Sequence, residues 1–215
     1  MKMIANLEYQ IQPINFPVLD LPIILASSSP FRKLILEATN IPFTVHKVDF
    51  DESSIHNSNV ELLVLELAQT KGALATHNIK HPALIISGDS LVTCGNEIRG
   101  KPTSTAEARR YLRSYNEQPA TTHSAICIHN TATGKVALGV DRADIYLKEL
   151  NEEIISIVIN EGTIFHCCGA VAIEHPLLSP FVDRIEGTLD SIMGMPLKLT
   201  EDLITQTLYN PNSGL

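Results

Sequence analysis

Long apolar runs are missing from this 215-residue chain. The stretches at Ala83 to Ser87 and Ile154 to Ile159 fall far short of the roughly 20 residues that cross a bilayer, so no membrane span is expected. The opening MKMIANLEYQIQPINFPVLD has no uninterrupted apolar segment with a small-residue cleavage site. It does not read as a secretory leader, and a cytoplasmic location is the expectation. Runs of Lys and Arg are also missing. With 16 basic residues against 24 acidic ones the formal charge is -8, which argues against a surface that tracks a nucleic-acid backbone. The few cysteines, Cys94, Cys127, Cys167 and Cys168, make neither a C-x-x-C pair nor a Cys/His zinc spacing, so reduced and partly buried thiols are expected. No H-E-x-x-H spacing links the histidines, and no G-x-S-x-G elbow marks a serine nucleophile.

What is present suits a folded domain: 44% apolar and 19% charged residues, with the apolar ones spread along the chain. Residues 1–21 show little periodicity and are expected to form an N-terminal extension, with one domain over 22–215. Pro22 to Ala26 reads as a buried strand, Ser27 to Ser29 as a tight loop and Pro30 to Ala38 as a helix started by proline. Phe43 to Val48 reads as a strand. Val60 to Thr76 reads as a helix with Leu63, Leu67 and Leu74 on one face, and Ala83 to Cys94 as a strand region broken at Gly88. Ser104 and Glu107 stand in capping-box spacing at the start of a helix over Thr103 to Tyr115. His123 to His129 and Lys135 to Val140 flank a turn as a hairpin, and Asn151 caps a helix that ends at Glu161 before Gly162. Strands alternating with helices, plus one hairpin, point to an α/β fold with a mixed sheet and flanking helices.

Several residues stand out against this frame. A serine loop between a strand and a helix leaves backbone N–H groups and hydroxyls facing one point, with the positive helix end behind them, which suits a phosphate. Arg32 and Lys33 add charge in the first turn. Ser29 reads equally as a plain N-cap. Asp89 lies in ALIISGDSLVTC, where a buried strand normally excludes an acid, and Gly88 beside it admits a ligand closely. Asp51 and Glu52 come from a separate polar segment, and carboxylates from two elements are a common way to hold Mg²⁺ against phosphate oxygens. The same acids also read as a solvated loop. Lys71 falls on the apolar side of its helix, where a lysine either reaches a partner or snorkels to water. GNEIRGK matches P-loop spacing but is rejected, because Pro102 stands where that motif needs a hydroxyl and no helix follows Lys101 directly.

Taken in order, ILASSSPFRKLIL, Asp51-Glu52, LAQTKGALA, SGDS, GNEIRGKP, FVDRIEG and IMGMPL resemble the Maf family of nucleotide pyrophosphatases over about Pro22 to Leu197. The resemblance implies a Maf/ITPase-like α/β fold of two lobes around a nucleotide-binding groove. It also implies a divalent metal, Mg²⁺ or Mn²⁺, and release of pyrophosphate from a nucleoside triphosphate. Carried over by position, it puts Ser27, Arg32, Lys71 and Lys101 around the triphosphate, Glu52 and Asp89 at the metal, and Asp89 as proton acceptor for the attacking water. Within the family the chain looks similar to the YceF-type branch, associated with 7-methyl-GTP. Phe31 follows the SSSP turn where the dTTP and UTP branch has arginine, and Glu174 stands where that branch has glutamine. An aromatic face attracts the cationic 7-methylguanine, and a carboxylate accepts from the guanine N1–H and amino group. Phe31 in place of tryptophan, Ser90 in place of glutamine after Asp89, and His175-Pro176 in a stretch that typically contains glycine are departures that bear on the base. The alternatives are the same reaction on dTTP, UTP or another non-standard nucleotide, and a non-hydrolysing nucleotide-binding regulator of cell division. A homodimer is one expectation for assembly.

Overall fold

The structure, a computed structural model, describes residues 20–208. The expected N-terminal extension therefore lies almost wholly outside the described residues. In chain order the elements are β1 (Ile23–Ala26), α1 (Pro30–Glu37), β2 (Phe43–Val45), α2 (Val60–Asn78), β3 (Leu84–Cys94), β4 (Glu97–Arg99), α3 (Thr105–Ser114), β5 (Ala120–Asn130), β6 (Lys135–Leu147), α4 (Glu152–Glu161), β7 (Val182–Glu186), α5 (Leu189–Ile192) and α6 (Leu197–Leu208). Short 3-10 turns lie at Glu52–Ser54, Thr163–His166, Cys168–Ala170 and Ser179–Phe181. The seven strands hydrogen-bond in the order β2-β1-β3-β5-β6-β7, with β4 also on β3. β1 is parallel to β2 and to β3, whereas β3/β4 and β6/β7 are antiparallel, so the sheet is mixed as expected. No helix among the described residues is long and apolar enough to cross a membrane.

The described residues divide into two compact units, and β3, β5 and β6 pass from one into the other. The first contains residues 20–89, Ser124–Asp141 and 190–208. Within it β1 and the first half of β3 are apolar on both faces, as parallel strands covered on both sides must be. Ile23, Leu25, Leu84, Ile86, Ile126 and Ile128 pack one face against Ile35 and Leu36 of α1 and Leu203 and Ile204 of α6. Ile24, Ala26 and Ile85 turn to the other face and meet Ala75 of α2. Each fully buried Leu or Ile contributes on the order of 1.5–3 kcal/mol, so these two layers fix how β1 and β3 lie side by side. That pairing aligns Ala26 with Ser87 and so carries the loop after β1 alongside the middle of β3.

The second unit contains Ser90–His123 and Arg142–Leu189. Helix α3 starts where expected: Ser104 Oγ accepts from the Glu107 N–H, and the Glu107 carboxylate accepts from the Thr103 N–H at 2.8 Å. Helix α4 is capped by Asn151 and stopped by Gly162 at φ 82. Arg109 and Arg113 of α3 both clasp Glu152 of α4. The GNEIRGK segment is the β3/β4 hairpin, with Gly95 at φ 57 in the turn. Its Arg99 is buried, paired with Glu97 at 2.8 Å and laid over the Tyr111 and Tyr115 rings.

Three readings of the sequence are corrected here. β3 is continuous, not broken at Gly88. Leu74 does not join the core face of α2: it is 38% exposed, while Val64, Leu67, Ala68 and Ala75 are buried. β5 and β6 are longer than the apolar patterning indicated, because Thr121 and Thr122 find partners in Asp144 Oδ1 (2.5 Å) and the Ala143 carbonyl (3.1 Å) and extend the strands with polar residues.

Candidate active site

The buried strand β1 ends at Ala26, and the next three residues turn the chain into α1. Ser29 is the N-cap, with its hydroxyl accepting from the Arg32 N–H at 3.3 Å. Ser27 Oγ accepts from the Ser29 N–H at 3.1 Å and from Arg32 Nη1 at 3.4 Å. The loop is therefore less open than the sequence suggested, since its own side-chain hydroxyls take the Ser29 N–H and the Arg32 N–H of the first helical turn. Ser27 and Arg32 are both buried. The Arg32 Nε donates to the Gly194 carbonyl at 2.8 Å. Lys33, the other basic residue of the first turn, is exposed and paired with Glu37 at 3.4 Å. Phe31 is half-buried on α1.

Gly88 is needed for packing inside this unit. A Cβ there would fall 2.8 Å from the Ala125 carbonyl oxygen and 3.2 Å from Arg32 Nε, so β3 runs directly beneath the Arg32 guanidinium. The close approach expected at Gly88 is thus made by protein atoms.

Asp89, one residue on, is 7% exposed and meets the Lys71 ammonium in a direct ion pair. The same ammonium lies 2.8 Å from Glu52 Oε1. Lys71 does not snorkel; it stands between two carboxylates from two different elements. Asp51 is occupied otherwise, accepting from the Ser53 N–H at 3.0 Å and the Ser53 hydroxyl at 2.6 Å, and these bonds hold its carboxyl below the usual range. As a cap it starts the 3-10 turn that carries Glu52.

Helix α2 lies close on β3 for a reason the sequence did not reveal. Ser87 donates to the Ala68 carbonyl at 2.8 Å, and Gly72 leaves room for His129, whose ring atoms would be 2.6 Å from a Cβ there. Both contacts fall within one turn of Lys71. Gly194 was likewise present in IMGMPL without an assigned role. The loop around it is closed by Asp190, whose carboxylate takes the Leu197 N–H at 2.6 Å and whose carbonyl takes the Met195 N–H at 2.8 Å.

Two carboxylates around one cation are a donor set suited to Mg²⁺ or Mn²⁺ with phosphate oxygens and water completing the shell, and Lys71 is the cation between them here. Among the described residues no three His, Cys, Asp or Glu side chains gather into a complete protein cage.

The remaining singled-out residues belong to the second unit. Lys101 is exposed, and the carbonyl of Gly100 before it accepts from the Gly169 N–H at 2.8 Å. Gly169 is itself held by Tyr115, whose hydroxyl donates to its carbonyl at 2.7 Å. The Ser90 carbonyl accepts from Cys168 Sγ at 3.3 Å. Glu174 is half-buried and no plain surface charge: desolvation pushes its carboxyl above the usual range. The buried Cys167 thiol is pushed up to about 12, chiefly by burial and further by Glu174, with Lys101 acting the other way. All four cysteines are free thiols.

The profile of the family described as Maf-like protein matches residues 22–207. A 7-methyl-GTP pyrophosphatase from Dictyostelium discoideum is 32% identical over 192 residues, covering 86% of this chain and 96% of its own length. A nucleoside triphosphate pyrophosphatase from Synechococcus sp. (strain JA-3-3Ab) is 32% identical over 189 residues, covering 88% and 95%. A dTTP/UTP pyrophosphatase from Clostridium perfringens is 34% identical over 176 residues, covering 81% and 91%.

Proposed function

The chain belongs to the Maf-like protein family, and from that membership we propose that it is a nucleoside triphosphate pyrophosphatase whose favoured substrate is 7-methyl-GTP. The reaction is hydrolysis between the α and β phosphates, giving 7-methyl-GMP and pyrophosphate and removing a modified nucleotide from the pool. The observation that carries this reading is Lys71 held between Glu52 and Asp89, carboxylates of two different elements.

Asp89 takes the proton of a water that attacks the α phosphorus, and the bond from that phosphorus to the bridging oxygen breaks as pyrophosphate departs. No covalent enzyme intermediate is required. Lys71, Arg32 and Lys101 supply positive charge to the phosphates, and Ser27 holds Arg32 in place through its hydroxyl. Mg²⁺ or Mn²⁺, held by Glu52 and Asp89, would stabilise the charge that develops on the phosphate oxygens. Glu174 and Phe31 select the base, the first by accepting from guanine donors and the second by its π face toward the methylated ring. Ser90 follows Asp89 directly and completes the specificity set. The free thiols favour a reducing, cytoplasmic setting.

Pyrophosphate release with Mg²⁺ or Mn²⁺ across 7-methyl-GTP, GTP, dTTP, UTP, CTP and ITP tests the reading. A preference for 7-methyl-GTP is expected. A preference for dTTP or UTP, the substrates that name the Clostridium perfringens relative, would keep the reaction and remove the base argument. Binding without turnover of any would leave a nucleotide-binding regulator.

A further inference from the structure

Glu174 lies in a segment with neither strand nor helix, yet a carboxylate that selects a base must be held still. The residue after it provides the means. His175 is buried, and its Nδ1 accepts the Leu177 N–H at 3.2 Å, which leaves Nε2 to carry the hydrogen toward Glu161 Oε2 at 2.7 Å. Its main chain is equally engaged: the N–H donates to the Ala172 carbonyl at 3.0 Å, and its carbonyl accepts from Leu178 and Ser179, both at 2.9 Å. The turn over 172–179 therefore closes on this one residue. Glu161 ends α4, whose Ile155, Val158 and Ile159 are packed in the core and whose end is set by Gly162 in the left-handed region. The imidazole thus joins an irregular turn to a rigid helix.

We infer that His175 is a positioning residue for base selection, latching the Glu174 turn to the end of α4 through Glu161. The inference rests on the reading of Glu174 as the residue that recognises the base. His175 touches no reacting atom in this role. It removes freedom from the neighbouring carboxylate, so that the ordering cost is met during folding and not at each binding event.

The test compares wild type with Glu161→Ala, His175→Phe and His175→Gln. Glu161 is 46% exposed, so its truncation leaves the fold intact. For Glu161→Ala and His175→Phe the ratio of kcat/KM for 7-methyl-GTP over dTTP is expected to fall about tenfold, the scale of one charge-assisted hydrogen bond. The fall should appear in KM for 7-methyl-GTP, with kcat for dTTP unchanged. Amide exchange at Leu177, Leu178 and Ser179 should quicken in both variants. His175→Gln, whose side-chain amide can still donate to Glu161, should recover most of both effects. Wild-type selectivity in a folded Glu161→Ala protein, or unchanged amide exchange, overturns the latch while the base reading stands. A wild-type protein that does not discriminate among bases overturns the parent reading and this inference with it.

Discussion

Lys71 and Asp89 form a direct ion pair in which the two side chains are only 12% and 10% exposed. Such a pair is retained at a cost, because both charges have been taken out of water. Glu52, more exposed, adds a second negative charge to the same ammonium. Lys71→Met would leave Asp89 without its cation, and a loss of about 3 kcal/mol in denaturant stability is expected for breaking one partner of a buried pair. Unchanged stability would mean that water already solvates Asp89.

Asp89→Asn keeps the shape and removes the proton acceptor. Turnover should drop by at least about a hundredfold while the protein stays folded and still binds nucleotide. Pyrophosphate release beside a fluorescence or calorimetric binding titration separates the two effects. Near-normal turnover would take Asp89 out of the mechanism.

Gly72→Ala puts a methyl group 2.6 Å from the His129 ring and 2.7 Å from Ser87 Oγ, both on the sheet side of α2. The helix must move away, at a cost of about 1–3 kcal/mol of the kind seen for overpacked cores. Thermal unfolding checks the cost, and a raised KM checks that Lys71 has moved with the helix. Wild-type values for both would mean that His129 yields instead.

Glu174 should give base selection a characteristic pH dependence. Burial raises its carboxyl above 4.5, so the folded protein takes up this proton at higher pH than the unfolded chain does. Its contribution to stability is fully present below 4.5 and is lost as pH rises through the raised folded value. Base recognition runs the other way, since only the carboxylate accepts both guanine donors. The 7-methyl-GTP over dTTP ratio, followed from about pH 8 down to about pH 5, should decline above the range of an ordinary glutamate. A flat ratio would remove Glu174 from base selection.

His129 supplies a second, structural pH effect. Its Nε2 is buried without a partner, and desolvation holds the ring below 6.5. A depressed folded value means that its stability contribution is present above 6.5 and lost as pH falls through the folded value. Denaturant midpoints measured downward from neutral pH should decline, and His129→Leu should flatten that decline. An equal slope in the variant would place the acid sensitivity elsewhere.

Much of the fold was legible because local rules govern it. The short apolar runs Ile23–Ala26 and Leu84–Ile86, proline at the start of α1, and the caps at Ser104 and Asn151 each depend on residues within a few positions of one another. Element ends were less so. Thr121 and Thr122 look like the close of a strand until Asp144 and Ala143 are brought opposite them, and α2 is apolar around much of its circumference, so its sequence does not say which leucines face the sheet.

The site divides in the same way. Residue types alone singled out Asp89 in an apolar strand and Lys71 on an apolar helix face, because a charge where water is excluded requires a partner. The family resemblance names Glu52 and not Asp51, but the meeting of Glu52, Lys71 and Asp89 needed the chain folded, since they come from a turn, a helix and a strand. The resemblance likewise names Arg32 and not Lys33, and the fold adds the carbonyl of Gly194, 162 positions away along the chain, that holds the Arg32 guanidinium. The sequence by itself determined which chemical groups the protein has and which local elements carry them. Only the tertiary structure decided which of those groups meet, because hydrogen bonds and ion pairs act over a few ångströms of space, whatever the distance along the chain.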